Sequence, residues 1–255
     1  AGRAGAAGRS GPPAGRAGAA GRSGPPAGDS GAAGRAAPAV AVRDPVPADP
    51  ATPRDLERAL SRLVLDPLHA RIMAKGRVHS AQHQPFTIVL EPADGVPVTR
   101  VLDVLEDELV GYTDMLTRSV AGAVRHAPVL VALAGARCAA PTARESRLFF
   151  AEGTLADVDR RVPTAAVPLV GEHVAWRLGW DGRGEMPGEE RHMLRALIAA
   201  AHAEGKRVRL FGVPENRRAV RRAFWRELYA AGADLIGARD LGSLRRLLRA
   251  QRAHR

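Results

Sequence analysis

FTIVLEPADG, residues 86–95, sets the fold question. Five apolar or β-branched residues run without alternation into Glu91, and Pro92 and Asp94-Gly95 close the run. A short continuous apolar run bounded by turn residues is the mark of a strand buried on both faces. Comparable runs recur at PVLVALAG (128–135), RLFFAEG (147–153), VPLVGE (167–172), VRLFGVPE (208–215) and DLIGARD (234–240). Between them lie helical patterns. VTRVLDVLEDELVGY (98–112) places Val101, Leu102, Leu105, Leu109 and Val110 at helical spacing. GEERHMLRALIAAAHAEGK (188–206) ends at Gly205, and RRAVRRAFWRELYAAG (217–232) ends at Gly232. LGSLRRLLRAQR (241–252) is the last helix, and DLERALSRLVLDPL (55–68) the first, with Asp55 as cap and Leu56, Leu60, Leu63 and Val64 on one face. The order predicts an α/β fold with about six parallel strands and helices on both faces.

Ahead of this region the composition changes. AGRAGAAGRSGPP occupies residues 1–13 and again 14–26, and a degraded copy spans 27–38. Up to Gly28 only Ala, Gly, Arg, Ser and Pro occur, a set that cannot build a core. Residues 1–52 therefore read as a disordered tail, and residues 53–255 as the folded domain.

Lys+Arg minus Asp+Glu is 38 − 27, or +11, which favours anionic partners. Lys75 and Lys206 are the only lysines, so the excess also reads as an arginine-rich coding bias. Aromatics make up 4%, too few for the stacking residues of a single-strand binder, and nucleic acid is not an expected partner. Cys138 is the only cysteine, which excludes an internal disulfide or a cysteine zinc site. It reads as a small residue near a strand end. No apolar stretch approaches bilayer length, so no transmembrane segment is expected. Neither GxGxxG nor GxxxxGK[ST] opens a helix.

In parallel α/β folds chemistry sits at the C-terminal ends of the strands. Here those ends run into Glu91, Glu152, Glu172, Glu215 and Asp240, with Arg137 and Arg239 among them. Carboxylates suit a hard divalent cation and guanidinium a phosphate ester. Glu91 is the strongest single candidate, because a carboxylate at the end of such a run is costly to bury without a partner. Polar residues after strands are also ordinary loop chemistry, and Glu215 and Asp240 read equally as helix caps.

LVLDPLHARI (63–72), FTIVLEP (86–92), GYTDMLTR (111–118), VLVALAG (129–135), AEGTLADVD (151–159), VPLVGEHVAWRLGW (167–180), the run from Gly184 to Glu215, and FWRELYAAGADLIGARDLGSLRRLL (224–248) resemble, in that order, one bacterial phosphodiesterase family. It is the family similar to phosphatidylinositol-specific phospholipase C and glycerophosphodiester phosphodiesterase, with a fungal branch called altered inheritance of mitochondria protein 6. The resemblance covers about residues 55–250. It implies a TIM-type (β/α) barrel, of which the six strands are the third to eighth. It implies a divalent metal, Ca²⁺ or Mg²⁺, a phosphodiester small molecule or lipid headgroup as ligand, and a secreted protein.

By the same resemblance Glu91 is the metal-binding acid ending the third strand, and Ala93 stands where a lysine is usual. Gly135 and Arg137 match a Gly-x-Arg turn after the fourth strand, and Glu152 matches an aspartate after the fifth. Arg137, Glu152 and Glu215 are the substrate-binding candidates. The family's His-Ala-His-Asn-Asp and Glu-x-Asp segments, which supply its acid–base histidines and most of its metal ligands, do not occur ahead of residue 86. The early histidines, His69, His79 and His83, lie in other contexts. The expectation is a barrel that is truncated, completed by another chain, or no longer hydrolytic. The competing expectation is a non-catalytic basic protein. In it NRRAVRRAFWRE (216–227) and LRRLLRAQRAHR (244–255) touch anionic lipid or nucleic acid. The simpler reading of those helices turns Phe224, Trp225, Leu228 and the leucines to the sheet and solvates the arginines.

Overall fold

The computed structural model describes residues 39–41, 60–79, 84–92, 98–135 and 146–253, all within one compact unit, 35–255. Six parallel strands form the sheet: β2 (Phe86–Leu90), β5 (Val129–Leu133), β7 (Phe150–Gly153), β8 (Leu169–His173), β9 (Arg207–Phe211) and β10 (Leu235–Gly237). They lie in the order β10-β9-β8-β7-β5-β2, every pair parallel. A further strand, β1 (Ala39–Ala41), pairs parallel with β10, Ala39 opposite Leu235, and also comes close to β2. These three residues fall inside the stretch read as tail. They belong to the first valine-containing segment of the chain, AVAV at 39–42, where the composition first permits a strand. The rest of residues 1–52 lies outside the described residues.

The sheet is curled. β9 and β2 are separated by β8, β7 and β5, which in a flat sheet is about 19 Å at roughly 4.8 Å per strand. Yet side chains of β9 hydrogen-bond to Thr87 on β2 and to Glu91 just after it. Only a strongly curved sheet brings those strands within reach of one arginine. The result is a half-barrel with an enclosed concave side.

The two faces separate by strand alternation. Leu130, Ala132, Phe150, Leu169 and Leu235 pack together as one cluster on the concave side. Outside it, Val170, Val208, Leu210 and Ile236 pack against the helices α5 (Gly188–Ala203), α6 (Arg218–Ala231) and α7 (Leu241–Ala253). Val129, Val131 and Leu133 pack with the side chains of α1 (Asp66–Lys75) and α2 (Val98–Leu109). Two short helical turns, α3 (Ala156–Asp159) and α4 (Val174–Arg177), follow β7 and β8. A small antiparallel sheet joins β3 (Arg118–Val120) with β4 (Ala123–Arg125) and β6 (Ser146–Arg147).

Two apolar faces differ from their sequence reading. Leu63 is 74% exposed, and Leu65 is buried in its place. A π-helical turn at Ser61–Leu65 adds a residue to the local repeat and rotates the face away from Leu63. Val110 is likewise exposed, because α2 stops at Leu109 and passes into a 3₁₀ turn, Val110–Tyr112. In α6 and α7 the apolar residues do face inward. Phe224, Trp225, Leu228, Leu244 and Leu247 are buried, while Arg218, Arg226, Arg245 and Arg249 are exposed. Among the described residues no helix is long and apolar enough to cross a membrane.

Candidate functional site

Alternation along RVRLF puts Arg207, Arg209 and Phe211 on the concave face of β9 and Val208 and Leu210 against the helices. Arg209 is the centre of the C-terminal end of the half-barrel. Its Nε donates to Glu152 Oε1 at 2.6 Å and its Nη2 to Glu152 Oε2 at 3.0 Å. The same Nη2 donates to Glu91 Oε1 at 3.1 Å. The Arg209 and Glu152 side chains are 6% and 5% exposed, and that of Glu91 is 35% exposed, so the cluster opens to solvent on the Glu91 side. Burial alone would lower the Arg209 guanidinium, but Glu152, then Glu91, hold it above its ordinary value.

The cluster needs room, and Gly171 supplies it. A Cβ there would lie 2.3 Å from Glu152 Oε1. Gly171 is the register partner of Arg209, so the Glu152–Arg209 pair passes over the strand between β7 and β9 at its one residue without a side chain.

An aromatic group flanks this cluster. Arg209 Cζ lies 4.2 Å from the centre of the Phe211 ring. His173, at the end of β8, meets Phe211 edge-on at 5.5 Å and stacks on Trp176 at 4.6 Å with 24° between planes. Trp176 is 81% exposed, a large aromatic surface at the strand ends where such folds bind ligands. The tight turn after β9 makes the arrangement possible: Gly212 has φ +76°, and a Cβ on it would sit 2.1 Å from His173 Nε2. His173 Nδ1 is buried with no hydrogen-bond partner among the described residues.

The sequence candidates divide accordingly. Glu91 and Glu152 come together, joined by Arg209. Glu215 lies at the same end but serves the backbone: its Oε1 accepts the Arg239 N–H, and its carbonyl accepts from Arg221. Asp240 caps α7 by accepting the Ser243 N–H at 2.9 Å, and it pairs with Arg221 at 2.8 Å. The Ser243 hydrogen bonds first, then the charges of Arg221 and Arg246, hold its carboxyl below the usual range. Glu172 pairs with Arg177 at 3.0 Å. Arg137, Cys138 and His83 lie outside the described residues. His69 bonds Asp114 at 2.8 Å, and His79 meets Phe86 edge-on.

The donor set tests the implied metal. Glu152 commits both oxygens to Arg209, and the guanidinium sits between the two carboxylates where a divalent ion would need to be. The described residues therefore fit a guanidinium-centred polar cluster better than a resident Ca²⁺ or Mg²⁺. Arg209, His173 and Trp176 were not singled out from the sequence. The available signal was the arginine alternation in RVRLF, masked by the apolar residues beside it. No family model, curated protein or solved structure matches this chain.

Proposed function

We propose that this chain is a member of the phosphoric diester hydrolase family of the glycerophosphodiester and phosphoinositide type. It binds the polar headgroup of a phosphodiester at the C-terminal end of its half-barrel without hydrolysing it. The observation that carries this reading is the meeting of Glu91 and Glu152 on Arg209, at the strand ends of a curled parallel sheet. The carboxylates accept from hydroxyls of a polyol headgroup, Arg209 holds the two carboxylates in place, and Trp176 offers a face for stacking. Diester cleavage needs a base, an acid and a group that balances developing charge. Of these the described cluster offers two carboxylates tied to one arginine, which leaves it with a net charge of −1 and no group free to take or give a proton.

The test is titration of the full chain with glycerophosphoinositol, followed by tryptophan NMR and by ³¹P NMR for product. Shifts of the Trp176 indole without product support the reading. An unmoved Trp176 indole removes the binding site, and product formation removes the non-hydrolytic assignment.

A second reading rests on the outward arginines of α6 and α7, which are neighbouring helices. In it the basic face holds an anionic lipid surface. Salt-sensitive retention on anionic vesicles, lost on replacing Arg218, Arg226, Arg245 and Arg249 together, would support it, and retention unaffected by salt would end it.

A further inference from the structure

The opposite end of the half-barrel carries a second arginine with a different environment. Arg207 begins β9 and points into the concave side, where its Nη1 donates to Thr87 Oγ1 at 2.6 Å and to the Pro85 carbonyl at 3.0 Å. Both partners are neutral. No carboxylate lies within ion-pair distance of this guanidinium among the described residues. The carboxylate whose charge reaches it, that of Asp234, is engaged by the Val208 N–H at 2.8 Å and by His202 at 2.7 Å. Arg207 Nε is buried and has no hydrogen-bond partner among the described residues. The next residue back, Lys206, is buried but paired with Glu204. Among the described residues Arg207 thus has no counter-charge in contact, and a largely desolvated charge without one is costly.

A cavity of about 200 Å³ lies against it at the N-terminal strand ends. Its polar wall is made of Arg207, Gln84, Thr87, His126 and Thr164, and among the described residues no acidic side chain lines it. Desolvation holds the Arg207 guanidinium below its ordinary value, with only partial relief from Asp234, as expected for a cation missing its partner.

We propose that this cavity is a binding site for a small oxyanion, a phosphate or a carboxylate group, held by Arg207. The anion supplies the missing ion pair, and the Nη1 bonds to Thr87 and Pro85 fix the guanidinium plane that receives it. The site is separate from the Glu91–Glu152–Arg209 cluster, where the guanidinium is already balanced. It stands whether or not that cluster binds a phosphodiester.

The experiment titrates the full chain with sodium phosphate, sulfate or acetate at constant ionic strength, following thermal unfolding and the arginine Nε–H signals by NMR. The expected result is a saturable rise in Tm, with the Arg207 Nε–H shifting along the same curve. Saturation by phosphate and sulfate alone assigns a phosphate ligand, and saturation by acetate as well assigns a carboxylate. Arg207→Gln should abolish the rise, and Arg207→Lys should weaken the apparent affinity at least tenfold by losing the planar fork. The proposal is overturned if no anion gives a saturable effect. It is also overturned if Arg207→Lys responds as the wild type does, or if Arg209 Nε–H moves in place of Arg207. Should Arg207→Gln not fold, the wild-type Arg207 signal decides the matter alone.

Discussion

Gly171→Ala is the sharpest probe of the Arg209 cluster, because it adds one methyl group at a known distance from a known atom. The new Cβ would stand 2.3 Å from Glu152 Oε1, 2.6 Å from its Cδ and 3.2 Å from its Cγ. Ordinary contact begins near 3.4 Å, so the carboxylate has to retreat by more than an ångström. The bonds it holds to Arg209 are 2.6 and 3.0 Å long, and a retreat of that size breaks both. At 5% exposure the displaced Glu152 does not reach water. Breaking a buried ion pair by disabling one partner costs about 3–5 kcal/mol. Arg209 keeps Glu91, which favours the lower end, and alanine in place of a strand glycine returns roughly 0.5–1 kcal/mol. The expected net loss is about 2–3 kcal/mol.

In a Glu152→Ala background the obstructing carboxylate is gone, and Gly171→Ala should be neutral or slightly stabilising. The coupling energy between the two positions is then about 3 kcal/mol, well above the few tenths seen for independent sites. Urea unfolding of the wild type, both single variants and the double variant measures it, provided the m-values agree. Equal costs of Gly171→Ala in the two backgrounds would refute the cluster geometry. So would a loss under about 1 kcal/mol in the wild-type background.

Three further expectations follow from single residues. Gly212→Ala combines a positive φ of +76° with a clash on the His173 ring, and should cost about 2 kcal/mol or more by urea unfolding. A loss below 0.5 would show the ring to be loosely held. Trp176→Ala should change stability by no more than about 0.5 kcal/mol, since the side chain is 81% exposed, yet should remove the response to glycerophosphoinositol; an unchanged response excludes Trp176 from the site. Asp240→Asn should lower the urea midpoint at pH 7, by a difference that shrinks as the pH is lowered below about 4. The folded carboxyl lies below its ordinary value, so its contribution is complete above about pH 4 and fades as pH falls through the lower, folded value. A difference that stays constant as the pH falls below about 4 would assign the effect to geometry instead of charge.

What could be read from the sequence, and what could not, follows from the length scale of each signal. FTIVLEP and VPLVGE carry their strand character within a few residues, because burial on both faces leaves no polar position to interrupt the run. Gly205 and Gly232 mark helix ends for an equally local reason. Leu63 and Val110 departed from the expected faces because a constant helical repeat does not hold there: a π-helical turn widens it at Leu63 and a 3₁₀ turn tightens it at Val110. β1 and the small β3–β4–β6 sheet escaped because strands of two or three residues have too few positions to show a pattern.

Glu91 and Glu152 could be read as candidates from their place at strand ends, but their mutual contact could not. It is made through Arg209, which is 118 residues from Glu91 and 57 from Glu152 in the chain. The same curvature explains why β9 carries arginines at all. A flat sheet covered by helices on both faces would bury Arg207 and Arg209 in apolar surroundings at a prohibitive cost. A curled sheet brings distant strands together at both ends of its apolar interior, so that Arg209 finds two carboxylates and Arg207 finds a threonine, a carbonyl and a cavity. The alternation R-V-R-L-F is therefore itself evidence of curvature.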